Sequence, residues 1–274
     1  MLLAALALVA MLAGFSLILY SAVIHPAQLH SQATATALAV LNAQASQTAR
    51  ANAQASATAI ANDNATATAQ ALATAQAVAT STALQNIYTQ GTRGTPIFND
   101  PLTYDANNWT VAAANGGGGC SFSGGTYHSA VQQKGYYLPC IAQNTSFSNF
   151  AFQVTQTILK GDEGGIIFRA NNVTSKGYLF SIKNDGSFTI FLTSDNSHST
   201  NLDYGSSPAI HTGLNKSNML TVVARGNQLY LYVNRQYVNN VTDNTYTSGQ
   251  IGVFSADDSA PTDVAYTNAE VWQL

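Results

Sequence analysis

The sequence predicts a mainly β protein, a two-sheet sandwich at its C-terminal end preceded by a long N-terminal α-helix. Three observations predict it. The first 24 residues are strongly apolar and carry no charge. Between residues 32 and 84, Ala fills 22 of the 26 odd positions, with Thr, Gln, Asn or Ser mostly between. From residue 97 onward, short alternating runs of β-branched and aromatic residues are separated by turn signals.

The 274 residues leave room for one or two domains. Charged residues make up 8% of the chain and the net charge is -3, which gives no reason to expect nucleic acid as a partner. Charge is also unevenly placed. Met1 to Ala49 hold no Asp, Glu, Lys or Arg, and only Arg50 and Asp63 are charged before Arg93.

The first element, "MLLAALALVAMLAGFSLILYSAVI", would run roughly 36 Å as a helix, enough to cross a bilayer core of about 30 Å. His25-Pro26 is expected to punctuate it, since Pro lacks a donor and restrains the residue before it. Ala7, Ala10, Gly14 and Ser21 supply small residues on one face, at a spacing that lets helices approach closely. A cleavable signal peptide would show a basic n-region and a shorter apolar core, and this segment has neither. The missing Lys and Arg also leave orientation unspecified. The expected start is therefore a processed terminus, or one that more chain once preceded. "GFSLI" (Gly14 to Ile18) resembles the cleavage site of type IV prepilins, where a Gly precedes the Phe that opens the mature helix. The basic leader of that family is absent, and Leu19 stands where pilins usually place a Glu. An uncharged apolar helix leading a globular head is also similar to the organisation of pilin-like subunits.

The second element is the Ala run. Ala and Gln favour helix, whereas Thr, Ser and Asn weaken it. Alternation is nominally a strand signal, but one strand of about 50 residues lies far outside the usual range of about 3–10. A helix of about 75 Å is predicted, with a disordered spacer as the alternative. A period of two advances about 200° per step and spreads Ala around the whole cylinder. Leu38, Val40, Leu41, Ile60, Leu72, Val78, Leu84 and Ile87 are too sparse for heptads. Such a helix is expected to become rigid by packing against copies of itself.

The third element begins where Gly91, Gly94 and Pro96 mark a boundary. "NFAFQVTQTIL", "GGIIFRA", "GYLFSIK", "GSFTIFLT", "MLTVVARG", "QLYLYVN", "GQIGVFS" and "VAYTNAEVWQL" read as strands. Asn184-Asp185-Gly186, Gly226-Asn227 and Asn234-Arg235 read as turns between them. Many short strands with almost no helical pattern predict two packed sheets. Cys120 and Cys140, in a chain that reads as exported, predict one disulfide closing a loop of about 20 residues. Two buried free thiols are the alternative.

Residues 97–274 resemble the concanavalin A-like, laminin-G-like jelly roll, in the version found at the outer end of some bacterial membrane proteins. There it follows a transmembrane helix and an Ala/Thr/Gln-rich spacer. The resemblance rests on "GGIIFRA" (Gly164–Ala170), "YLFSIKNDGSFTIF" (Tyr178–Phe191), "LTVVARGNQLYLYVN" (Leu220–Asn234), "SGQIGVF" (Ser248–Phe254) and "NAEVW" (Asn268–Trp272). It implies a fold that hosts lectins, hydrolases and inert modules alike. The expected domains are thus 1–25, an apolar helix; 26–90, a stalk; and 91–274, the sandwich.

Glycoside hydrolysis normally needs two carboxylates, and the family 16 hydrolases of this fold place two Glu and an Asp close together on one strand. This chain has two Glu in all, Glu163 and Glu270. Asp162-Glu163 precedes a strand and reads as a turn, so no catalytic residue and no enzyme is expected. No cofactor is expected either, apart from calcium. Asp257, Asp258 and Asp263 offer hard oxygen ligands for it in a loop that a purely solvated role would equally explain. Tyr136, Tyr137, Tyr178 and Tyr204 are candidates for stacking on sugar rings, or else core residues. Asn64, Asn108, Asn144, Asn172, Asn215 and Asn240 each open an Asn-x-Ser/Thr sequon. Two readings follow, both at the cell surface. The first is a self-assembling, pilin-like filament subunit whose helices form the core and display the sandwich. The second is a membrane-anchored glycan-binding or sensor domain on a spacer.

Overall fold

The computed structural model describes residues 2–114, 116–195 and 198–274. Met1, the first residue of the apolar segment, lies outside them. The chain divides into two compact units, Met1–Ala77 and Val78–Leu274.

The first unit is helical. Helix α1 spans Leu2–Leu19, a π-helical turn spans Tyr20–Ile24, and helix α2 spans His25–Gly91. Pro26 was expected to punctuate the helix, yet the helix continues through it. The π-turn supplies the reason. The His25 N–H donates to the carbonyl of Tyr20, five residues back, so the turn ahead of Pro26 is widened. Pro26 has no N–H of its own, and its ring would otherwise crowd the carbonyl four residues back. An apolar stretch at this end, of mean hydropathy 2.3, is long enough to cross a membrane.

The Ala run is helical, and its threonines show how. The hydroxyls of Thr34, Thr36, Thr48, Thr58, Thr66, Thr68 and Thr74 each donate to the carbonyl four residues earlier, at 2.8–3.0 Å. These residues weaken helices largely because their hydroxyls compete for backbone groups. Here the hydroxyl bonds a carbonyl of the helix itself, so the competition is absorbed.

The second unit is all-antiparallel apart from the end of α2. The strands are β1 (Phe98–Asp100), β2 (Ala112–Ala113), β3 (Gly118–Ser123), β4 (Thr126–Val131) and β5 (Tyr137–Phe147). They continue with β6 (Phe150–Lys160), β7 (Glu163–Asn171), β8 (Lys176–Lys183), β9 (Ser187–Thr193) and β10 (Ser199–Ser206). The last are β11 (Ser217–Arg225), β12 (Gln228–Val233), β13 (Gln236–Thr242), β14 (Gly249–Ala256) and β15 (Thr262–Gln273). One sheet has the order β13-β12-β11-β6-β15-β4-β3-β2, with β1 pairing on β15; the other has the order β10-β9-β8-β7-β14-β5. The predicted turns close hairpins in both. Asn234 and Arg235 both take positive φ (50° and 67°) in the two-residue turn between β12 and β13, the twist that such hairpins require.

Period-2 patterning sends Phe150, Phe152 and Val154 of β6 into the same core as Tyr178, Phe180 and Ile182 of β8. The outer face of the larger sheet is covered by the last turns of α2. Tyr88 packs on Tyr232 with ring centroids 5.3 Å apart, and the Tyr232 hydroxyl donates to the carbonyl of Leu84 at 2.8 Å. The last turns of α2, from Val78 onward, therefore belong to the second unit.

Cys120 on β3 is bonded to Cys140 on β5, a link between the two sheets with a Cα–Cα distance of 5.7 Å. Replacing both by Ser should lower the unfolding free energy by about 3 kcal/mol, from the loop entropy of a closure of this length. The sandwich core should survive. Chemical denaturation followed by tryptophan fluorescence would show this, and an unchanged midpoint would refute it.

Candidate functional site

Among the described residues of the second unit, no helix packs on the outer face of the six-stranded sheet. The parity that sends Phe180 and Ile182 inward sends Leu179, Ser181 and Lys183 outward, and likewise Ile167 of β7, Phe191 of β9 and Phe254 of β14. Of these, Leu179, Lys183, Phe191 and Phe254 join Tyr136, just before β5, and Tyr137, which opens it, to line a trough of about 200 Å³. Its floor is the apolar cluster of Leu179, Phe254 and Phe191, with Tyr137 set edge-on to Phe254 at 6.2 Å. Gly165 lies on the same strand face. A Cβ there would collide with the Phe180 carbonyl and the Phe254 ring, so glycine is required for the floor to lie flat.

Three charged groups stand at one end of the trough: Glu163, Lys183 and Asp258. The Lys183 ammonium donates to Asp258 and lies 3.5 Å from Glu163 Oε2. Glu163 is only 4% exposed. Burial pushes its carboxyl above the ordinary glutamate value, outweighing the hydrogen bond from Ser181 and the attraction of Lys183. Desolvation works against the Lys183 charge, but the hydrogen bond to Asp258 and the field of Glu163 overcome it and hold its pKa up. Asp162 fixes the loop that carries Asp258. Its carboxylate accepts from the N–H groups of Ser259 (2.7 Å) and Ala260 (3.1 Å) and from the Ser259 hydroxyl. Burial opposes the Asp162 charge, but these bonds together hold its pKa below the usual aspartate value.

A raised folded-state pKa means that the fold favours protonated Glu163. Its contribution to stability is complete below the unfolded value of about 4.3 and is lost as pH rises through the folded value. Glu163→Gln should therefore match the parent protein in acid and gain on it progressively toward neutral pH. Denaturation midpoints across pH 4–8 would show this; a constant offset would contradict it.

The sequence-predicted site residues fall in different places. Tyr136 (57% exposed) and half-buried Tyr137 line the trough. Tyr204 is exposed on β10, outside the trough lining. Tyr178 is a correction. It shares the inward parity of Phe180, is fully buried, and donates its hydroxyl to Asp243, so it belongs to the core and cannot stack on a ligand. The expected calcium ligands are not brought to one point. Asp258 is taken by Lys183, Asp263 by His128 Nδ1 at 2.9 Å, and Asp257 is buried with no partner for Oδ1 among the described residues. Among the described residues no group of three or more His, Cys, Asp or Glu is placed to hold a metal. Glu163 corrects the turn reading. Asp162 does lie in the turn, but Glu163 opens β7 and enters the trough. Lys183, Phe191 and Phe254 were not singled out by the sequence at all.

Five sequon asparagines, Asn64, Asn108, Asn144, Asn172 and Asn215, are exposed. Asn240 is half-buried and accepts from the Tyr237 hydroxyl at 2.6 Å. Ala7, Ala10 and Gly14 lie in α1, and Ser21 lies in the π-turn with its hydroxyl on the Ile18 carbonyl.

Fold and trough define the second unit as a concanavalin A-like jelly roll with an open sheet face. The chain belongs to the family of 3-keto-alpha-glucoside-1,2-lyase-like domains, whose model matches residues 93–271. No curated protein matches it in sequence. Among solved structures it is similar to the carbohydrate-binding module CBM66 from Bacillus subtilis. That match has 18% identity and a TM-score of 0.52, and covers 62% of this chain and 99% of that one. It is also similar to a Bacillus subtilis protein of unknown function with a galectin-like fold. There the identity is 13% and the TM-score 0.50, with 66% and 96% of the two chains covered. The disulfide and the apolar N-terminal helix are compatible with a membrane-anchored or extracellular protein.

Proposed function

We propose that the protein is a membrane-anchored surface protein whose sandwich binds glycans without cleaving them, with α-glucosides as the class its trough takes. The observation that carries this is the trough itself. Sugar recognition needs a flat apolar platform for the ring face and a few fixed polar groups for the hydroxyls. Tyr136, Tyr137 and Phe191 supply the first; Glu163, Lys183 and Asp258 supply the second. At about 200 Å³ it is smaller than a drug-sized site of ~300–1,000 Å³ and suits a single sugar ring. The family's description and the carbohydrate-binding neighbour support the same class.

Binding without turnover is favoured because Lys183 engages both carboxylates. An acid and a base or nucleophile must flank a glycosidic bond, and here an ammonium occupies the position between them. A second reading, catalysis on 3-keto-α-glucosides, has one observation in its favour: a buried carboxyl with a raised pKa is suited to proton transfer. Of the two readings the sequence leaves open, these features support the anchored domain and add nothing to the filament subunit.

One experiment separates binding from catalysis. The full chain in detergent micelles is incubated with methyl α-glucoside and its 3-keto derivative, with binding read by calorimetry and cleavage by mass spectrometry. Binding with no product is expected. Cleavage that Glu163→Gln abolishes would replace the proposal by the lyase reading, and absence of binding to either compound would overturn both.

A further inference from the structure

We infer that the site has a second compartment beyond Tyr137, so that its ligand is an oligosaccharide of at least two linked units. This rests on the glycan reading of the trough and deepens it.

The outward face of the six-stranded sheet continues past the trough. Tyr137 lines the trough and also a second depression of about 260 Å³ toward the other end of the sheet. One tyrosine is thus the shared wall of both. The floor of the second depression is again apolar, with Ile141 and Ile167, both nearly buried in the same surface cluster as Leu179 and Phe254. Its rim is polar but differs from the charged end of the trough, with Gln143, Asn171 and Lys176 around it.

The strand geometry makes the two depressions one groove. Glu163 opens β7 in the first and Asn171 closes the same strand in the second. A strand of this length spans on the order of 25 Å, more than one sugar ring can occupy. Lys183 and Lys176 bracket β8 in the same way, one at each end.

The rim groups also have free hydrogen-bonding capacity. Asn171 Oδ1 accepts from the N–H groups of Val173 and Thr174, which fixes the side chain and leaves its NH₂ without an acceptor among the described residues. The Gln143 amide and the Lys176 ammonium have no side-chain partner among the described residues. Amides and an ammonium beside an apolar floor fit the hydroxyls and apolar face of a neutral hexose. Asn172, the Asn-Val-Thr sequon residue, lines this depression too.

The proposal predicts a chain-length effect. The full chain in micelles is titrated calorimetrically with glucose, maltose and maltotriose. Maltose or maltotriose should bind at least about tenfold more tightly than glucose. The Gln143→Ala/Asn171→Ala double variant should lose that gain while keeping the affinity for glucose. Both substitutions lie on the exposed rim, and an unchanged melting curve would exclude a folding defect. Equal affinity for all three sugars would overturn the second compartment alone, as would a double variant that weakens glucose and maltotriose alike. Failure of all three to bind would overturn the glycan reading and this inference with it.

Discussion

Tyr137→Ala should abolish measurable α-glucoside binding while the sandwich stays folded. Tyr137 belongs to the proposed platform and borders both depressions on the open sheet face. Truncating a central aromatic contact in a binding site costs about 2–3 kcal/mol, roughly 30- to 150-fold in affinity. Tyr137→Phe keeps the ring and should retain most of the binding. Tyr136→Ala should cost less, because Tyr136 is more exposed and borders only the trough. Calorimetric titration of the three variants alongside thermal melts would decide. Full binding by Tyr137→Ala would remove the platform argument.

Arg169→Ala should give the largest stability loss of any single substitution outside the aromatic core, on the order of 4 kcal/mol. Arg169 is 2% exposed and makes no ion pair with a carboxylate among the described residues. Its guanidinium instead donates from Nε and Nη2 to the Ser148 carbonyl, at 3.1 and 2.7 Å, and from Nη1 to the Tyr246 carbonyl at 3.1 Å. It therefore ties the turn between β5 and β6 to the loop between β13 and β14. Removing it breaks three charge-assisted bonds and leaves the space of a long stem empty. Lys cannot substitute, because one ammonium does not reproduce the planar fork. Urea denaturation of Arg169→Ala and Arg169→Lys would check both statements. A shift below about 1 kcal/mol in either would show that water replaces the guanidinium without loss.

The fold was legible in the sequence wherever local pattern and burial agree. The runs "NFAFQVTQTIL" and "YLFSIKNDGSFTIF" alternate as half-buried strands must, and the Asn-Asp-Gly and Asn-Arg turns fall where the hairpins close. The disulfide was legible because only two cysteines are present. The trough was legible only in part. Tyr178 is separable from Tyr137 by parity with Phe180 and Ile182, a signal present in the sequence and not used. Glu163 gives no such signal, since its burial comes from Lys183 and Asp258 on other strands and loops. Arg169 is hidden by a different effect. A register shift between Phe168 and Asn171, with φ of 46° at Arg169, breaks the alternation that would otherwise turn it outward beside Ile167. Pro26 misleads in the same way, because a widened turn accommodates what the residue alone forbids.

The threonine bonds of α2 also bear on how this helix meets its surroundings. Each hydroxyl hydrogen is spent on the helix's own backbone, so what faces outward at those positions is largely the γ-methyl, beside the methyls of Ala. Polar composition thus overstates polar surface. Arg50 and Asp63 are the only formal charges from Met1 to Thr92, so Debye screening has almost nothing to act on there. A helix of this make-up is indifferent to ionic strength. Charge screening alone leaves it unaffected, whereas anything that changes the solvation of methyl and amide groups does not.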